Sequence, residues 1–533
     1  MTSGERWIEL CVQWAQANSA LSGLGSIEAF PLPSRTSDTP PSPPPLRTFA
    51  ELLQWAAEQS KIVPEAVSLR LTTIVGGPQA SMFAGRLENL LASLTVEQRS
   101  EAKFLLVATV VRIRQTLELC ADPVPRIRSI IDFYYSQLAM LHWRDGARQL
   151  PSITHALHRP PWRRLVHGIR HAAIVGHFRQ GPVSMHLLKI DQGKARFRSH
   201  HVADGAAMNE LHQIVAECGA VAGFTGGFFL YSEPSIQAPS KQFDPVGLLV
   251  SDGKVVVPPI LSRPVFFQDQ KGFIGITRLG LKGCTITHGS LAVKIGATNL
   301  PQASLTAPTA YNAAFGEKTP DLQGPSVAFV GARPVGLAES GPVSIPVNGF
   351  VLALPKHAQW LALAQQLANA DSVDFLLPKI SGFAPFADAM AGGPTLLSGG
   401  EVLAPDWRGE EFMNGAPPVT LASDETSDQN LLPRLAVGIT PAFEVVVMAV
   451  DGRDLNAAFG ATLSQTARWL KALGCSDAVN LDGGSSKRLA SSVETFGNSA
   501  EGLLVPGATM PDASLRRRRL VTTWTISEQR TFG

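Results

Sequence analysis

Two stretches of this chain carry residue types that could do chemistry together. They are Asp451-Gly452-Arg453 and Asp482-Gly483-Gly484-Ser485-Ser486. Arg453 and the nearby Arg434 could hold a phosphate, because a guanidinium matches its oxygens two at a time. Gly483 and Gly484 allow a tight turn that presents amide N–H groups, and Ser485 and Ser486 add hydroxyl donors. Carboxylate, guanidinium, hydroxyl and bare amide on one rim suit a sugar or a phosphoryl oxygen. The same oxygens also suit a hard divalent cation, and the residues do not decide whether one is used. A serine nucleophile is disfavoured, since no Gly-x-Ser-x-Gly elbow surrounds Ser485 or Ser486. Asp-Gly is an ordinary turn dipeptide as well, and Arg434 could instead close a strand-end salt bridge. What favours function is that two such turns flank one helix.

The elements that position them read as strand, helix, strand. Phe443 to Val450 (FEVVVMAV) is an apolar, β-branched run of strand length that stops at Asp451. Thr462-Leu-Ser-Gln465 is a capping box. Phe459, Leu463, Ala467, Leu470 and Leu473 then share one helix face, and Gly474 is a C-terminal stop. A second strand, Ala478 to Leu481, runs into Asp482. The reading is a βαβ unit with parallel strands and a right-handed crossover. Such a unit would bring Asp451 and Asp482 to one sheet edge, where open α/β sheets bind ligands.

At 533 residues the chain has room for two to four domains. Hydrophobic residues at 45% and charged residues at 17% describe a globular protein, and a net charge of +2 gives no general field for nucleic acid. Five scattered cysteines form no Cys-x-x-Cys pair, which argues against a zinc site and a disulfide framework. The apolar run 104–111 is far short of the about 20 residues of a membrane span. The N-terminus lacks the basic and apolar segments of a signal peptide, so a cytoplasmic location is expected.

Three regions are expected. Residues 1–45 comprise a helical segment and a Pro-rich linker. Residues 46–160 form a small helical domain, opened by the capping box Thr48 to Glu51, which could take a protein partner. His155, His158, His167, His171 and His177, set among Arg159, Arg163, Arg164 and Arg170, read as a solvated basic connector. From Ala172 the texture is β-rich, with strands at 182–190, 221–231, 245–257, 273–276, 326–330 and 349–354, and a helix at 360–370. The fold class is therefore α+β, mixed, with a helical domain ahead of it.

The β-rich part also resembles the phosphodiester glycosidase family. The resemblance rests on Gly226-Gly-Phe-Phe229, Gly247 to Lys254, Gly392-Gly-Pro394 with Leu396, Pro433-Arg-Leu-Ala-Val-Gly438, Asp451-Gly-Arg453 and Asn480 to Ser486. These motifs occur in the family's order and span roughly residues 172–525. Two departures stand out: Thr225 occupies the place of the family's Asn, and Lys487 follows Ser486 where relatives carry a small hydroxyl residue. The resemblance implies hydrolysis of a glycosyl phosphodiester to a sugar and a phosphomonoester, in polysaccharide (exopolysaccharide) or glycoconjugate metabolism. It implies Asp482 as base or cation stabiliser, and Asp451 as second carboxylate or orienter of Arg434. Arg434, Arg453, Thr225, Gly226, Gly227, Asn480, Gly483, Gly484, Ser485 and Ser486 would bind substrate. Because Thr loses the amide donors and reach of Asn, a non-catalytic carbohydrate- or phosphate-binding descendant is the alternative.

Overall fold

A computed structural model describes residues 150–178, 181–202, 210–230, 243–403, 410–411, 431–452, 457–497 and 520–529. The predicted N-terminal segment and linker, and all but the last residues of the predicted helical domain, lie outside the described residues. Within them, β structure dominates and a few helices cover it.

Eight strands make the largest sheet, in the order Arg163–Val166, Ile169–Phe178, Gly181–Asp191, Glu444–Val450, Arg434–Ile439, Asp477–Leu481, Thr395–Ser398 and Glu401–Val402. Every neighbouring pair is antiparallel. This corrects the expected βαβ unit. The strands flanking the helix do run parallel to each other, but Arg434–Ile439 lies between them and pairs antiparallel with both. The cause is the short connection after Ile439. Thr440 and Phe443 close it with backbone hydrogen bonds, and so few residues can only fold back into a hairpin. Phe443 sits in this turn at φ 59° and is 57% exposed, so the strand begins at Glu444 rather than at Phe443.

Strand alternation explains the burial. Leu435, Val437, Ile439, Val445, Val447 and Ala449 face one side, and Ala436, Val446, Met448 and Val450 face the other. On the first side lies a five-stranded sheet containing Ala195–His201, Ala222–Thr225, Leu489–Ser491, Thr495–Phe496 and Thr522–Glu528. Its Trp524 is fully buried among Phe197, Phe224 and Phe266. The other side is covered by helices Ile153–His158 and Leu463–Ala472. Cover on both faces is why the 444–450 strand is apolar throughout instead of alternating.

The fold therefore begins before residue 172. Ile153 and Leu157 are buried, and the histidine-rich stretch supplies two sheet strands rather than a solvated connector, with His171 only 5% exposed. The predicted Asp-Gly hairpin is present: Asp252 and Gly253 take φ 47° and 77°, as a type I′ turn requires between Leu249–Ser251 and Lys254–Val257. A further sheet holds Ser326–Val330 and Gly349–Ala353 beside helix Ala358–Ala368.

The helix between the two carboxylates is fixed at both ends. The Gln465 amide donates to Thr462 Oγ1 at 3.1 Å, and the Thr462 amide donates to Gln465 Oε1 at 2.8 Å. Gly474, at φ 89°, donates to Lys471 O and ends it. Phe459 stands before the helix rather than on its face, with its ring against Gly181. Thr462→Ala is expected to lower stability by about 1 kcal/mol, seen as a lower denaturant midpoint. An unchanged midpoint would show that the cap contributes nothing.

Candidate active site

Two glycine turns meet at Pro433, the residue before strand Arg434–Ile439. The Gly484 amide donates to Pro433 O at 2.9 Å. A Cβ on Gly483 would lie 2.7 Å from the same oxygen, and one on Gly452 would lie 2.6 Å from Pro433 N. Only glycine allows such backbone approach. The register sets Leu435 opposite Leu481 and Arg434 opposite Val450. Asp482 and Asp451, each one residue past these partners, therefore leave the sheet at the same edge.

The first family motif is joined to the last. The Asp482 amide donates to Gly226 O at 3.1 Å, and the Arg488 amide donates to Thr225 Oγ1 at 3.0 Å. The Thr225 hydroxyl, 4% exposed, thus ties a strand to the loop after Asp482. Gly226 and Gly227 lie against Met390, and a Cβ on Gly226 would fall 2.0 Å from its sulfur. Asn480 is fully buried; its Nδ2 donates to Gly393 O at 2.8 Å, and its Oδ1 has no hydrogen-bond partner.

Asp451 is held from three sides. Ser184 Oγ donates to its Oδ2 at 2.7 Å, Lys487 Nζ donates to its Oδ1, and His186 Nε2 stands 4.0 Å from Oδ2. Ser184 and His186 share a face of strand Gly181–Asp191 because side chains repeat every second residue. Beyond His186 comes His171, with Nε2 3.1 Å from His186 Nδ1, and the Phe496 ring stacks on both imidazoles. Burial opposes ionisation of Asp451, but Lys487, His186 and Ser184 outweigh it and hold the carboxyl below its usual range. Burial, against the pull of Asp451, keeps His186 below the ordinary imidazole value. Burial, with His186 and Arg163 adding to it, takes His171 down to about 4.

The structure thus brings Thr225, Gly226, Gly227, Arg434, Asp451, Asn480, Asp482, Gly483, Gly484 and Ser486 to one sheet edge. Arg434 is fully buried, and its Nε donates to Ala461 O at 2.9 Å. The Gly484 amide expected in an anion site is taken by Pro433. Arg453 and the Ser485 side chain lie outside the described residues. Among the described residues no group of three His, Cys, Asp or Glu stands where it could hold a metal ion. With both Asp451 oxygens already accepting from Lys487 and Ser184, that carboxylate fits a divalent cation poorly. In the sequence Ser184 and His186 were passed over, His171 was placed in a solvated connector, and Lys487 was treated only as a departure. The available signal was Ser184 and His186 standing two apart in the apolar stretch Val183–Leu188.

A pH dependence follows from His171. Its folded value of about 4 lies below the ordinary 6.5, so the unfolded chain takes up the proton first. Stability is full above 6.5 and falls as pH drops toward 4. His171→Gln should make this limb shallower by up to about 1.4 kcal/mol per pH unit in denaturant titrations. An identical slope would contradict the assignment.

Residues 326–522 match the family model for phosphodiester glycosidases. That segment includes Arg434, Asp451, Asn480 and Asp482, while Thr225 to Gly227 precede it. No curated protein matches the chain. Among solved structures, a Synechocystis protein is similar at 18% identity and TM-score 0.42, covering 69% of this chain and 64% of its own. The chain thus spans less than two thirds of that protein's length. A Burkholderia pseudomallei protein is similar at 20% identity and TM-score 0.41, covering 65% of this chain and 74% of its own. The catalytic domain of zebrafish N-acetylglucosamine-1-phosphodiester alpha-N-acetylglucosaminidase is similar at 15% identity and TM-score 0.35, covering 71% of this chain and 95% of its own. By the family match, the chain carries a domain of the phosphodiester glycosidase family, over residues 326–522.

Proposed function

We propose that the chain hydrolyses a glycosyl phosphodiester, of a polysaccharide or glycoconjugate, to a sugar and a phosphomonoester. The observation that carries this reading is the junction at Asp482. Its backbone is bonded to Gly226, and the turn it opens is bonded to Pro433, so motifs far apart in sequence form one rim around a carboxylate.

The bond that breaks joins the anomeric carbon to a phosphodiester oxygen. The phosphate leaves with the electron pair, and it is stable enough as an anion to need little help from an acid. The remaining work is to stabilise an oxocarbenium-like transition state and to activate water. Asp482 serves as base or as cation stabiliser, taking the proton of the attacking water or facing the developing positive charge. Asp451, kept ionised by Lys487, acts as an orienter at the same rim rather than as a reacting group. Arg453 and Arg434 bind the phosphate or orient the groups that do, with Ser486 as a further donor.

One observation favours a second reading. The Thr225 hydroxyl already accepts from Arg488, so the position of the family's Asn offers a substrate less than an amide would. A protein that binds a sugar phosphate without turning it over is the alternative. Release of free sugar from a panel of sugar-1-phosphodiesters separates the two, with and without added divalent cation. Wild type should release sugar, and Asp482→Asn should lose at least about 100-fold in rate while keeping binding. Folded wild type that binds these compounds without releasing sugar would establish the second reading instead.

A further inference from the structure

Asp451 and Lys487 form a buried ion pair at the end of the loop that starts with Asp482. The Lys487 side chain is fully buried and that of Asp451 is 6% exposed. Lys487 Nζ and Ser184 Oγ each donate to one carboxylate oxygen. The backbone of Gly497 closes over the group as well: a Cβ there would lie 2.4 Å from Asp451 Oδ1. A carboxylate that exchanges a proton with substrate or water must present an oxygen within hydrogen-bond reach of it. Asp451 instead turns both oxygens toward donors of its own chain.

The loop between Asp482 and Lys487 is fastened at successive points. The Asp482 amide is on Gly226 O, the Gly484 amide is on Pro433 O, and the Arg488 amide is on Thr225 Oγ1. The one-turn segment Gly484–Ser486 lies between the second and third of these points. Lys487 follows it directly and reaches across to Asp451, at the end of the neighbouring strand. A buried pair of this kind adds little net stability, but losing one partner leaves a charge unsatisfied in the interior. Its effect is geometric: it fixes where the loop can lie. The groups facing the pair are Ser184 and His186 from strand Gly181–Asp191, with His171 behind His186, and Glu494 of the following turn acts on His186.

We infer that Asp451 is a positioning residue, which holds Lys487 and through it the Asp482–Lys487 loop, and is not a carboxylate that meets the substrate. This rests on the proposed hydrolysis. It is specific to a chain with Lys at position 487.

The test uses a neutral replacement that keeps the hydrogen bond. In the full-length double variant Asp451→Asn with Lys487→Gln, one amide still donates to the other without charge. The double variant should hold kcat/KM on sugar-1-phosphodiesters within about 10-fold of wild type, whereas Asp482→Asn loses at least about 100-fold. The double variant should also keep both limbs of the wild-type pH profile. Lys487→Met removes the hydrogen bond and leaves burial to favour the neutral carboxyl. It should lose at least about 10-fold in kcat/KM, with its acid limb moved to higher pH. A folded double variant as inactive as Asp482→Asn would overturn the inference and make Asp451 a catalytic carboxylate. If the double variant does not fold, Lys487→Arg serves: activity and pH profile near wild type support positioning, and their loss contradicts it. Amide hydrogen exchange over 482–488 gives a readout independent of turnover. Exchange should be at least about 10-fold faster in Lys487→Met than in wild type, and unchanged exchange would overturn the inference. Wild type that releases no sugar while exchange behaves as expected would fault the proposed reaction and leave the positioning role standing.

Discussion

The close approach of backbones around Pro433 is the constraint on which the site depends. Gly452 and Gly483 both press against this residue, and Gly460, at φ 109°, packs against Leu432 beside it. A side chain at any of these glycines would push a turn outward, and the two aspartates would no longer leave the sheet at a common edge. The glycines of the Asp-Gly turns therefore do more than permit the turns. They let the two turns share one proline, at the start of the strand that runs between them.

Electrostatics then sorts groups of similar type. Asp451 is enclosed and neutralised by an ammonium from the same loop that carries Asp482. His186 and His171 continue the row inward and are held neutral by burial, so the row carries no net charge near neutrality. Burying two opposite charges costs desolvation that their attraction only offsets when the geometry is good and the remaining atoms are hydrogen-bonded. Ser184 meets the second of these conditions at Asp451. The other aspartate of the rim, Asp482, is placed by its backbone, whose amide donates to Gly226 O.

Much of this was legible locally. The run Glu444–Val450, the Thr462–Gln465 capping box and the Asp252-Gly253 hairpin each declare themselves within a few residues, because strand burial, caps and turn dihedrals depend on neighbours in sequence. The gathering of Asp451 and Asp482 at one edge was also readable, since two strands joined by one helix commonly run the same way. What could not be read was which strand lies between them. Arg434–Ile439 inserts because of a hairpin whose closing residue, Phe443, looks like part of the strand. The burial of His171 was hidden for a related reason. In sequence it is one of several histidines among arginines, and only pairing with strand Gly181–Asp191 sets it against His186 and Phe496. Lys487 was visible as a departure, but its partner lies across the sheet edge and no local pattern encodes that distance.

The measurement that tests the central claim most directly is the fate of solvent oxygen. A sugar-1-phosphodiester would be hydrolysed in water enriched in heavy oxygen, and the products examined by phosphorus NMR and mass spectrometry. Cleavage between the anomeric carbon and oxygen, with Asp482 acting on the water, puts the label in the sugar and none in the phosphomonoester. Label in the phosphate would mean attack at phosphorus, and would contradict a glycosidase acting at this rim.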